Sequence, residues 1–409
     1  MEILPILSTL RRHKITAWLL ILEIALTCAI VCNAVFLIGQ RLQRIDTPSG
    51  IAEHELVQIR MAYVGNRPDA EARAETDLAA LRQITGVRQV ALLRSVPFEM
   101  GGPNGDLMLN PQQQQRTLNV GEYLGENLLP TLGVRLVEGR DFQPGEYVSL
   151  DTAIAALHSG DPKGMPQTAI ITKSMEERLW PGQSALGKTI YFGKDISIRV
   201  IGVVARLTRS DQLNRGADNS MLLPVSVNLT AGASYVIRCA SNDRARVLKA
   251  ALAKLKEIDP HRVVLQKRTY DEVRQEFFAN DRAMAGILAG VCIALLIVTA
   301  LGIVGLASFW VAQRRRTIGV RRALGATRRN ILNYFQTENF LLATIGIALG
   351  MVLAYGINLF LMMHYELPRL PAIYFPVGAI VLWLIGQLAV LGPALRAAAV
   401  PPVVATRSV

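Results

Sequence analysis

The chain has 409 residues, 51% of them hydrophobic, with a mean hydropathy of +0.29 and a net charge of +12. That hydropathy is high for a soluble protein and ordinary for one that is partly in a membrane. Residues 41–282 hold 31 basic and 28 acidic residues and so contribute only +3 of the charge, which excludes nucleic-acid binding as its meaning.

Residues 1–16 open with an amphipathic run, Ile3, Leu4, Ile6, Leu7 and Leu10 around Pro5, suited to a helix in the inner membrane interface. Residues 17–40 form the first of four predicted spans, since about 20 apolar residues cross a bilayer. The apolar stretch exceeds the roughly 7–15 residues of a signal-peptide core, which predicts a retained anchor. Glu23 is the one charge in its apolar core and shares a face with Thr27. It either snorkels to the interface or meets another helix.

Residues 41–282 are polar and form a large α+β domain. A strand at 55–60, a helix at 70–83 and a strand at 87–94 are echoed by a strand at 235–240, a helix at 243–258 and a strand at 263–267. Two such halves, at 45–96 and 234–268, predict a split βαβ layer of ferredoxin-like outline. Residues 97–233 are then an insertion of short strands, with 197–204 (SIRVIGVV) as a buried one. The loop at 101–115, with its run Gln112 to Gln115, reads as a flexible tip. The helix at 270–282 enters the second span with no proline or glycine break, predicting one continuous helix that could transmit movement. Cys28, Cys32 and Cys292 lie in spans, which leaves Cys239 without an intrachain disulfide partner outside them.

The remaining spans are 283–312, 338–363 and 373–392, separated by a loop at 313–337 and a short loop at 364–372, with a tail at 393–409. Of 13 basic residues outside 41–282, 12 fall in the N-terminus, the 313–337 loop and the tail. All three lie on one side of four spans, so both termini are expected in the cytoplasm and the large domain outside.

No catalytic or metal-binding constellation emerges. GQSALGKT at 182–189 matches a phosphate-binding loop literally, but that chemistry needs a strand before it and a helix after it. Here a helix precedes and a strand follows. His13, His54, His158, His261 and His364 are scattered, no GxSxG elbow occurs, and acidic pairs such as Glu176-Glu177 read as solvated helix faces. Asn228-Leu229-Thr230 fits a glycosylation sequon, a pattern short enough to arise by chance. Small residues recur every fourth position at Gly286, Gly290 and Ala294 and at Gly346, Gly350 and Ala354. Each face suits either packing within one bundle or dimerisation.

The loop between the second and third spans, QRRRTIGVRRALGATRRNIL, is the most informative segment. Seven arginines fall between 314 and 329 with no acidic residue among them. Residues 317–324 suit a short helix ended by Gly325 in a left-handed cap. Thr327 suits the N-cap of a second helix whose Ile331, Leu332 and Phe335 share an apolar face. A rigid corner of this kind suits docking into a partner's groove better than lipid contact alone. The docking residues are expected to be Thr317, Ile318, Arg321, Arg322, Ala323, Leu324, Gly325, Ala326, Thr327 and Arg328.

At this loop the chain resembles the permeases of MacB-like and FtsX-like ABC transporters, the mechanotransmission type. That family carries an ERxREIGIRRALGA-type stretch between its second and third spans. The resemblance extends to GVRLVEGRDF (133–142), LWPGQSALGKTI (179–190), VIGVV (200–204) and a proline- and alanine-rich tail at 393–407. It implies Porter-like and Sabre-like subdomains for the βαβ layer and the insertion. It also implies a dimeric membrane unit, with a second copy or a paralogue, whose inner loop engages a separate ABC ATP-binding subunit in the bacterial inner membrane. ATP and Mg would bind that subunit, and this chain would bind no cofactor. Export from the periplasm would proceed through an adaptor and a TolC-like outer-membrane channel. Lipoprotein extraction, as in LolC-like and LolE-like subunits, and FtsX-like regulation of cell-wall hydrolases are the alternatives. The family's two loop glutamates correspond to Gln313 and Thr317, which suggests a sister subunit that retains them.

Overall fold

The computed structural model describes residues 14–63, 69–192, 196–210, 216–365 and 369–400. The amphipathic run at 1–13, part of the 364–372 loop and the tail beyond 400 lie outside the described residues. Two compact units emerge, Met1–Ile45 with Asn280–Val409, and Asp46–Ala279.

The first unit begins with α1 (Lys14–Ile45). The second unit then runs through β1 (Leu56–Ala62), α2 (Ala70–Arg82), β2 (Val87–Leu93), β3 (Asn104–Leu107), β4 (Leu118–Leu124), α3 (Leu128–Leu132) and β5 (Leu136–Gly139). It continues with β6 (Val148–Ser149), α4 (Leu150–Ser159), β7 (Thr168–Thr172), α5 (Lys173–Leu179), β8 (Thr189–Phe192) and β9 (Ile196–Val204). Last come β10 (Ser220–Leu223), β11 (Val225–Ser226), β12 (Ser234–Cys239), α6 (Arg244–Ile258), β13 (Val263–Thr269) and α7 (Tyr270–Phe277). The first unit resumes with α8 (Ala279–Gln313), α9 (Arg315–Ala323), α10 (Arg328–Tyr365) and α11 (Tyr374–Ala398).

Strand order β13-β1-β12-β2, all antiparallel, is that of a ferredoxin-like split βαβ layer. Alternation places Val57, Ile59 and Met61 of β1 in one core with Leu78 and Leu81 of α2 and Val247, Ala251 and Leu255 of α6. Within that layer Arg262 and Asp77 form an ion pair with both side chains fully buried, and the Tyr235 hydroxyl donates to the same carboxylate. Removing one member would strand a buried charge, which costs about 3–5 kcal/mol.

The insertion forms a seven-stranded sheet in the order β3-β4-β10-β7-β9-β5, with β8 sharing an edge of β9. The 101–115 segment is folded, contrary to the expected flexible tip. Part of it is β3, and Gln113 Oε1 accepts from the Leu109 and Asn110 amides, both at 2.9 Å. The phosphate-loop lookalike is a turn between α5 and β8, and its Lys188 Nζ donates to Gln183 Oε1 at 2.5 Å beside the Trp180 ring.

The expected unbroken helix at 270–282 is also corrected. Phe278 separates α7 from α8 with φ −93° and ψ 10°. Its ring is fully buried edge-on against Phe98 and Phe277, so tertiary packing overrides the local helix propensity.

Helices α1, α8, α10 and α11 are long and apolar enough to cross a membrane. The two small-residue faces have different roles. A Cβ on Gly350 would lie 2.5 Å from Cys28 Cβ, and one on Gly346 would lie 2.9 Å from Ile24 Cβ, so this face lets α10 approach α1 closely. Ala354 is buried there too, and Asn33 Nδ2 donates to its carbonyl at 3.1 Å. Gly286, Gly290 and Ala294 on α8 are exposed, and a Cβ on either glycine would meet nothing. Glu23 lies against Gly302 of α8, one turn from a 2.8 Å hydrogen bond between the Thr27 and Thr299 hydroxyls.

Candidate coupling elbow

Residues 313–337 build a folded elbow between α8 and α10. Arg314, with φ −102° and ψ 9°, breaks the helix after Gln313, and α9 starts at Arg315, two residues before the position read from the sequence. The helix closes with the Gly325 amide bonded to the Arg322 carbonyl at 3.2 Å and the Ala326 amide to the Arg321 carbonyl at 3.0 Å. This is the Schellman arrangement, and it requires the left-handed φ of +100° that Gly325 adopts. Thr327 Oγ1 then accepts from the Asn330 amide at 3.2 Å and caps α10.

An apolar cluster anchors the elbow. Ile318 is buried with Ile331 and Phe335 of α10, Val311 of α8, and Ala394, Ala397 and Ala398 of α11. Ala326 and Leu332 flank it. Helix α9 is therefore a packed element of the bundle rather than a free arm.

The arginines divide by orientation, which the sequence did not reveal. Arg314 reaches back to Glu338, with Nη1 at 2.9 Å from Oε2 and both side chains largely buried. Arg322 Nη1 donates to the carbonyls of Ala398 at 3.1 Å and Val400 at 2.7 Å. It thereby caps the C-terminal end of α11, where carbonyls lack helical partners and the helix dipole favours a cation. Arg321 lies over the Tyr334 ring at 5.1 Å. Arg315, Arg316, Arg321, Arg328 and Arg329 are exposed and meet no carboxylate among the described residues.

Of the expected docking residues, Thr317, Arg321, Ala323, Leu324, Gly325, Thr327 and Arg328 face outward. Ile318 is buried, and Arg322 and Ala326 are half-buried, so these three shape the elbow from inside. Leu324 is 83% exposed, and Val320, absent from the expected set, is exposed one turn before it. Their i, i+4 spacing could have identified the pair. Glu338, also missed, lies 24 residues from its partner, and no local pattern signals such a pairing. Arg328 and Arg329 line a cavity of about 300 Å³ with Leu332, Leu395, Ala398 and Ala399.

Residues 289–402, which include the elbow, match the family model "FtsX-like permease C-terminal". The uncharacterized ABC transporter permease YvrN of Bacillus subtilis is 26% identical over 264 residues, covering 61% of this chain and 64% of that protein. A macrolide export ATP-binding/permease protein MacB of Chromobacterium violaceum is 28% identical over 245 residues, covering 58% of this chain and 34% of that protein. The chain thus spans less than two thirds of the length of either relative. The periplasmic region of MacB from Actinobacillus actinomycetemcomitans superposes with a TM-score of 0.34 at 16% identity, covering 57% of this chain and 97% of that one. With four helices long and apolar enough to cross a membrane and residues 289–402 matching the FtsX-like permease C-terminal region, the chain is similar to ABC transporter permeases of the MacB-like, FtsX-like kind.

Proposed function

We propose that the chain is the permease subunit that conveys ATP-driven motion from a separate ATP-binding subunit, bound at the elbow, to the large domain outside the membrane. Membrane-side charge supports cytoplasmic termini in the inner membrane of a bacterium and a periplasmic domain of residues 46–279. The single observation that carries the reading is the two-sided construction of α9. Ile318, Arg314 and Arg322 fix it to three membrane helices, while Leu324, Val320 and Arg321 are presented outward. An element anchored inside that presents apolar side chains among its outward arginines can transmit displacement, and a loop that only marks topology needs neither the anchor nor the apolar side chains.

The relatives named MacB are export proteins with an ATP-binding part, and we extend export to this chain with a periplasmic adaptor and a TolC-like channel as partners. Catalysis and nucleotide binding belong to the ATP-binding subunit in this reading. A second permease subunit completes the membrane unit. Gln313 and Thr317, standing where the family has glutamates, favour a paralogous sister that keeps them.

The test is co-purification of the ATP-binding subunit with the Leu324→Asp chain. The exposed side chain can change without disturbing the fold, so the thermal unfolding midpoint should stay at the parent value while association drops at least tenfold. Undiminished association and coupled ATP hydrolysis in that variant would refute docking at the elbow.

A further inference from the structure

The split βαβ layer carries a cavity of about 250 Å³ that the coupling function does not use. Its walls come from Arg60 of β1, Arg94 and Ser95 at the end of β2, the Glu99–Gly102 turn, Gly232 before β12, and Leu265 on β13. Leu265 falls where the β1–β13 register shifts, at the bulge opposite Arg60 and Met61. Bulges re-aim side chains in this way beside binding sites.

Charge in the cavity is unbalanced. Glu99 is buried and already saturated. It accepts from Gln58 Nε2, from the Val96 amide, from Arg60 Nη2 at 3.0 Å and from Arg268 Nη2 at 3.0 Å. Arg94 has no carboxylate partner among the described residues, and its one hydrogen bond is a long 3.5 Å contact to the Gly232 carbonyl. Beside it the Ser95 hydroxyl is buried, with the residue only 2% exposed, and has no hydrogen-bond partner. A buried hydroxyl left unpaired loses its hydration without replacement, so native structures seldom keep one without a use. The turn is also strained: Phe98, next to Glu99, holds φ +60°, which a bulky side chain rarely adopts.

The rim is apolar. Met100 is 84% exposed at the mouth, and Leu265 is exposed across from it. A single surplus cation, an unpaired hydroxyl and two apolar side chains at the mouth define the chemistry of an occupant. We propose that this cavity binds a small amphipathic monocarboxylate. Its carboxylate accepts from the Arg94 guanidinium and the Ser95 hydroxyl, and its aliphatic body lies on Met100 and Leu265. A divalent anion is disfavoured because only one positive charge lacks a partner. The site is independent of the elbow and stands or falls apart from the coupling proposal.

The test uses the full chain in lipid nanodiscs, with isothermal titration of hexanoate, its neutral isostere hexanamide, and acetate, each corrected against empty nanodiscs. Saturable hexanoate binding is expected, at least tenfold tighter than that of hexanamide or acetate. R94Q and S95A should each weaken hexanoate at least fivefold with the thermal unfolding midpoint unchanged. Because Arg94 makes only one long hydrogen bond and Ser95 none, both variants should fold, and S95A serves if R94Q does not. Equal binding of hexanoate and hexanamide, equal binding of hexanoate and acetate, parental affinity in the folded variants, or no saturable binding would each overturn the proposal.

Discussion

The Arg314 guanidinium lies 2.9 Å from the carboxylate of Glu338, 24 residues further on. One residue sits at the corner where α8 ends, and the other faces inward about three turns into α10. The acid missing from the arginine-rich segment is thus supplied by the next membrane helix. The pair ties the elbow to the bundle at a point where both charges are largely withdrawn from solvent.

Glu338→Ala should therefore destabilise the membrane unit by about 3–5 kcal/mol, because Arg314 would be left buried without a counter-charge. The double variant Arg314→Leu with Glu338→Leu should recover most of that loss. Thermal unfolding of the detergent-solubilised chain measures both. A single variant as stable as the parent would show that water already solvates the pair.

The two small-residue faces make opposite predictions. Gly350→Val places a branched side chain where even a Cβ would be 2.5 Å from Cys28 Cβ and 2.7 Å from the Ala25 carbonyl. Overpacking of this kind costs about 1–3 kcal/mol and should force α10 away from α1. Gly290→Val meets open space and should leave the stability of the isolated chain within about 0.5 kcal/mol of the parent. Equal losses in the two variants would contradict this assignment of the faces.

Stability of the large domain should fall as pH rises toward neutrality, through Glu122 of β4. Burial pushes its carboxyl up to about 7. The unfolded chain loses this proton near the ordinary value of about 4.3, so between the two values the folded state holds more protons than the unfolded one. Stability at this site is therefore full below the unfolded value and declines as pH rises through 7, by a few kcal/mol at most. Glu122→Gln should remove this part of the pH dependence between pH 5 and 8 in denaturant titrations. An unchanged pH profile in the variant would place the dependence elsewhere.

Sidedness can be read with introduced cysteines, since the four native ones are buried. Gln114→Cys, on an exposed turn of the large domain, should react with a membrane-impermeant thiol reagent once the outer membrane is opened. Asn330→Cys, exposed at the elbow, should react only after the inner membrane is disrupted. The reverse pattern would invert the topology.

Much of this architecture was written locally. Four apolar stretches, the alternating strands of the split βαβ halves and the corner at Leu324-Gly325-Ala326-Thr327 are legible because hydropathy, period and caps depend on residues within a turn or two. Gly325 takes its left-handed conformation and Thr327 its cap from bonds to neighbours no more than five positions away. What lay beyond that range was decided by packing. The sequence shows seven arginines alike, and only Glu338 within α10 and the C-terminal end of α11 turn Arg314 and Arg322 inward and leave Arg321 outside. It shows two equivalent small-residue faces, and only the approach of α1 fills one of them. It shows an unbroken helical pattern through residue 278, where a buried aromatic cluster interrupts the helix. The cavity beside Arg94 joins segments up to 205 residues apart, and no periodicity in one chain segment can encode it.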